Sequence, residues 1–75
     1  MDHDTQSRDA LQRAVEHFGG QSALGRALER RQSVIAYWLY HAREIPAAAA
    51  IAIEKATGGA VTRQELRPDL FEVSP

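Results

Sequence analysis

The sequence has 75 residues and a mass of 8.3 kDa, which leaves room for one small domain and excludes most multi-domain enzyme architectures. Hydrophobic residues make up 44% and charged residues 25%, the balance of a folded domain, and the absence of cysteine excludes disulfides and thiolate zinc sites. The net charge of −1 is unevenly spread: Arg26, Arg30, Arg31 and Arg43 against Glu29 alone make residues 21–43 a basic belt of +3, between acidic ends that each sum to −2.

Helical periodicity runs through the chain and no stretch alternates with period two, so the class is all-α. The pattern predicts a compact bundle of four to five short helices in a single domain over residues 1–75, ordered from about residue 8 to 71. Leu11, Ala14, Val15 and Phe18 form the stripe of a first helix, which Gly19-Gly20 ends with the left-handed geometry glycine adopts readily. A second helix over Gln21 to Glu29 turns Leu24, Ala27 and Leu28 to one side and offers Gly25 for close approach. After the polar quartet Glu29-Arg30-Arg31-Gln32, a third helix carries Val34, Ile35, Trp38 and Leu39. Pro46 suits the first turn of a fourth helix through Ala47 to Thr57, closed by Gly58-Gly59. Thr62-Arg63-Gln64-Glu65 has the form of a capping box and starts a last turn, ended by Arg67-Pro68.

The third helix sorts into two faces. At about 100° per residue from Gln32, Val34, Ile35, Trp38 and Leu39 fall between about 200° and 340°, and Gln32, Ser33, Ala36, Tyr37 and Tyr40 lie opposite. A merely solvated face carries Lys and Glu, whereas this one carries groups that exchange hydrogen bonds or touch thymine methyls, flanked by arginines. Two helices joined by a tight turn, the second with such a face, form a helix-turn-helix, the arrangement that lays its second helix in the major groove. Arg30 and Arg31 fit either phosphate contacts or solvated turn residues, and Tyr37 and Tyr40 fit either the reading face or packing under a partner or the tail. Arg63 and Arg67 alternate with Glu65 and Asp69, which points to internal ion pairs, with Glu54 as a candidate partner.

The segment from Gln21 to Leu28, together with Val34 to Leu39, resembles the helix-turn-helix of Cro-like phage repressors and YdaS-like antitoxins. Ile45-Pro46-Ala47, Ala52 to Gly59, Thr62-Arg63 and Leu66 to Leu70 extend the likeness over roughly residues 10 to 71. The resemblance implies a sequence-specific regulator of transcription that binds double-stranded DNA, a repressor in the Cro manner. In it Gln32, Ser33, Ala36 and Tyr37 read bases, Gln21 meets a phosphate, and Arg31 and Arg43 lie near the backbone; Arg30, beside the outward tyrosines, joins them as a phosphate contact in the residue reading. It places Gly25 at a small packing position and Ile35 and Trp38 in the core. The chain departs from the family at Glu29, where glycine is usual, and at Arg31, where Ser or Thr usually caps the third helix; the first departure costs about 1 kcal/mol if the backbone there is left-handed.

A short reading helix implies a homodimer, at least on DNA, over half-sites about 34 Å apart or a multiple of that, with the tail Leu70-Phe71-Val73 and the start of helix one as candidate contacts. A rival reading from another class is an antitoxin or adaptor that acts by binding a protein, such as a toxin. His3, His17 and His41 do not make a ligand set, no phosphate loop or nucleophile grouping appears, and neither an enzyme, a metal nor a cofactor is expected. Pro46-Ala47-Ala48, at the start of helix four, could meet a phosphate or only water. The acidic start is unlike a signal peptide and no apolar run is long enough for a membrane span, so the expected compartment is the cytoplasm.

Overall fold

The computed structural model describes residues 3–42 and 44–71. Five helices follow one another: α1 His3–Phe18, α2 Gln21–Leu28, α3 Gln32–Tyr40, α4 Ala47–Ala56 and α5 Arg63–Leu66. Among the described residues there is no strand, and no helix is long and apolar enough to cross a membrane. The first helix carries the predicted stripe: Leu11, Ala14 and Val15 are buried and Phe18 packs against them from the edge. It lies against α2, α3 and α5, and α4 closes the bundle against α2 and α5. Leu24, Ile35, Trp38, Leu39, Ile45, Ala49, Ala50, Ile53, Val61 and Leu66 complete one continuous core.

Three of the helices end in the same way, with the peptide N–H after the left-handed residue reaching back five residues. Gly20 donates to the Val15 carbonyl at 3.0 Å, Arg30 to Gly25 at 2.7 Å and Gly59 to Glu54 at 2.9 Å. Each left-handed residue itself donates three residues back: Gly19 to Glu16, Glu29 to Arg26 and Gly58 to Lys55. This is the Schellman closure, which needs positive φ at its pivot. Gly19 and Gly58 supply it without a Cβ, at φ 90° and 64°. Glu29 adopts φ 57°, ψ 43° with one, so the turn of the helix pair is built on the residue the sequence had marked as costly there.

That turn folds over Gly25. A Cβ at Gly25 would stand 2.7 Å from the Arg30 carbonyl oxygen and 3.5 Å from the Gln32 nitrogen, so the glycine admits the turn and the first residue of α3. The consequence for α2 is a rotated face: Leu24 and Gly25 are buried and Leu28 is half-buried, while Ala27, expected inside, is exposed. The fourth helix also differs slightly from expectation, with Pro46 in the capping position just before its first turn and the helix ending at Ala56.

The C-terminal segment is tied down by polar side chains. Glu65 N–H donates to the Thr62 hydroxyl at 3.2 Å and Thr62 N–H to the Glu65 carboxylate at 3.0 Å, the reciprocal pair of a capping box. Arg13 on α1 pairs with the same carboxylate, and Arg63 pairs with Glu54 of α4. Arg67 reaches furthest: it donates to Asp69 at 2.7 and 2.9 Å and to the Ile45 carbonyl at 2.7 Å, and lies 3.3 Å from Glu44. Its charge is thereby stabilised, chiefly by the hydrogen bonds to Asp69, against the opposing effect of burial. The internal ion pairs expected of Arg63 and Arg67 are present: Arg63 ties α5 to α4, and Arg67 ties the tail to Glu44 and Ile45 ahead of α4.

Candidate nucleic-acid interface

The two faces of α3 separate as the wheel requires. Ile35, Trp38 and Leu39 are buried against the bundle and Val34 is half-buried at its edge. On the opposite side Gln32 and Ser33 are exposed, Ala36 is half-buried, and Tyr37 and Tyr40 stand 57% and 65% exposed. Large aromatic side chains so open to solvent, on a helix otherwise committed to the core, are the chief surface anomaly among the described residues.

Gln21, the first residue of α2, meets this face. Gln32 Nε2 donates to Gln21 Oε1 at 2.6 Å, and Gln21 Nε2 donates to the Tyr40 hydroxyl at 3.2 Å. The three side chains thus form a polar bridge from the start of α3 to its end by way of α2. Each glutamine keeps unused capacity, one amide hydrogen and a carbonyl lone pair on Gln21, one amide hydrogen and the carbonyl oxygen on Gln32. Tyr37 leans on His41, with ring centroids 6.0 Å apart. Tyr40 is exposed on the face opposite the core, and its hydroxyl is tied to Gln21. The wheel had placed Tyr40 on the correct face, but its partner lies 19 residues away on another helix, a contact no periodicity reveals.

The basic belt divides into two sets. Arg26, Arg30 and Arg31 are exposed around the α2–α3 turn and have no carboxylate partner among the described residues, whereas Arg13, Arg63 and Arg67 are all ion-paired. Arg31 is also the N-cap of α3 and makes no side-chain capping bond; its carbonyl accepts from the Val34 N–H at 3.0 Å. Arg43 and Val73 lie outside the described residues. Among the described residues no three His, Asp or Glu side chains gather as a metal would require.

The model of the family described as "Bacterial toxin YdaS" matches residues 11–75. The chain belongs to the YdaS family. It is 39% identical over 61 residues to the "Putative transcriptional regulator YdaS" of Escherichia coli (strain K12), a match covering 81% of this chain and 62% of that relative's length. Among solved structures it is similar to the "Cro protein from putative prophage element Xfaso 1 in Xylella fastidiosa strain Ann-1", with a TM-score of 0.80 and 42% identity over 85% of this chain and 97% of that one. The YdaS resemblance and the Cro-like architecture are therefore both found, and the family description names a toxin where the sequence motifs had suggested an antitoxin.

Proposed function

We propose that this YdaS-family chain is a sequence-specific regulator of transcription that binds double-stranded DNA and represses in the Cro manner, with α3 in the major groove. The observation that carries the reading is the exposed polar and aromatic face of α3 set beside three arginines that have no carboxylate partner among the described residues. Its likeness to a Cro protein and to a relative named as a regulator supports it. Gln32, Ser33, Ala36 and Tyr37 read base edges; the carbonyl oxygen and free amide hydrogen of Gln32 match the N6 and N7 groups of adenine. Gln21, Arg30, Arg31 and Arg43 hold the phosphates, Gln21 through the amide hydrogen its side-chain bonds leave free. The protein acts in the cytoplasm as a homodimer on DNA, without cofactor or catalysis.

The test is fluorescence anisotropy against labelled duplexes tiling the upstream region of its own gene, beside a random duplex, at several salt concentrations. One tile bound at least a hundredfold more tightly, with a log–log salt slope of about −3 to −4 for four phosphate contacts, is the expected outcome. Tyr37→Ala should then lose about 1 to 3 kcal/mol of discrimination at one or two positions while leaving random-duplex binding intact. Equal weak binding to every duplex overturns the reading. The family description as a toxin favours a second reading, a module that acts by binding another protein, and its complex would respond far less to salt.

A further inference from the structure

We propose that Tyr40 is a positioning residue for base recognition, acting through Gln21 on Gln32. This inference rests on the DNA-binding reading and adds to it a residue outside the base-reading and phosphate sets. The Tyr40 ring stands on the solvent side of α3 and contributes little to the core, so its value lies in the hydroxyl. That oxygen accepts from Gln21 Nε2 at 3.2 Å, and the opposite end of the same amide accepts from Gln32 Nε2 at 2.6 Å. An amide held at both ends cannot rotate without breaking a bond, so Tyr40 restrains Gln21 and Gln21 in turn restrains Gln32.

Without that restraint, Gln32 has a long, rotamer-rich side chain on an exposed helix start, and ordering it at the base would fall on the binding step. With it, the free carbonyl and amide hydrogen of Gln32 are presented in one orientation before DNA arrives. Two turns of helix separate Gln32 from Tyr40 on α3, and α2 supplies the link between them. The bridge also fixes the rotation of α3 against the first residue of α2, so a base-reading and a phosphate-holding side chain are set together.

The decisive variant is Tyr40→Phe, which keeps the ring and removes only the acceptor. In the DNA-free protein the side-chain amide signals of both Gln21 and Gln32 should shift in a nitrogen–proton correlation spectrum. Against the duplex that wild-type protein selects from a randomised pool, the variant should lose about three- to tenfold of its preference over single-base-pair changes at the Gln32 position, as removal of one hydrogen bond implies. Random-duplex affinity should fall by less than affinity for the selected duplex, through the loosened Gln21 alone, and the salt slope should not change because neither side chain is charged. In a Gln21→Ala background the same substitution should have no further effect, because the link is already cut.

Unmoved Gln32 amide signals would overturn the bridge regardless of DNA. Equal losses on every duplex would make Tyr40 a backbone contact and overturn the positioning role, as would losses that simply add to those of Gln21→Ala. A wild-type protein that selects no sequence overturns the DNA reading and this role with it. That failure is recognised separately, because the amide shifts in the free protein would still be present.

Discussion

Glu29 holds a left-handed backbone at a turn whose two counterparts in the same molecule use glycine. Its φ of 57° carries a penalty of about 1 kcal/mol for a residue with a Cβ, and no ion pair among the described residues offsets it. Glu29→Gly should therefore raise stability by about 1 kcal/mol and the melting temperature by about 4 to 8 °C. Thermal unfolding by circular dichroism checks this, and an unchanged or lower Tm would mean that the glutamate side chain or the stiffer unfolded chain compensates for the strain. Gly25, four residues earlier, shows why the turn is so tight: its missing Cβ is the space the Arg30 carbonyl occupies.

At the scale of elements, α3 begins under a conflict. Arg31 is its N-cap, but its side chain accepts nothing from the first amides, because a guanidinium carries donors and no acceptor. Arg31→Ser should cap the helix and add about 1 kcal/mol of stability while removing the proposed phosphate contact, lowering the salt slope of DNA binding by about one. Urea unfolding and anisotropy on the same variant should then move in opposite directions. Loss of stability together with unchanged binding would show that Arg31 belongs to the fold.

The α5 turn offers a second element-scale prediction, through pH. Burial acts to raise the Glu65 carboxyl's pKa, but the Thr62 N–H, the Arg13 guanidinium and the Thr62 hydroxyl outweigh it and hold it below the usual 4.5. A depressed carboxyl pKa contributes stability above its unfolded value and loses it as pH falls through the folded one. The melting temperature should consequently fall on acidification below about pH 4.5, and Glu65→Gln, less stable at neutral pH, should show a shallower fall. Parallel curves for the two proteins would place the acid sensitivity elsewhere.

The helices, the α5 capping box and the Arg63–Glu54 pair were legible because each rests on spacing of a few residues along one helix or between neighbouring ones. The buried face of α2 was misjudged at Ala27, since the rotation of that helix is set by how the turn folds over Gly25. The bridge from Gln32 through Gln21 to Tyr40 was illegible for a related reason. It joins residues 11 and 19 positions apart, and only the packing of α2 on α3 brings them together.

The whole molecule measures 34 × 26 × 19 Å, with the exposed face of α3 on one side. Such a helix spans only a few base pairs, too few to single out one site among many, which is why the proposed regulator is expected to act as a homodimer. A symmetric pair reading one face of the duplex places its two α3 helices about 34 Å apart, one turn of DNA. That separation is comparable to the molecule's longest dimension, and in the proposed homodimer the half-exposed Leu70 is a described apolar group available to a contact between the copies. Spacing is therefore the sharpest test of the assembly. Inserting about 5 base pairs between the half-sites puts them on opposite faces and should abolish cooperative binding, while about 10 should restore the facing geometry and part of the affinity. Gel-shift titration across that series reads it directly, and binding indifferent to spacing would mean that each copy recognises DNA alone.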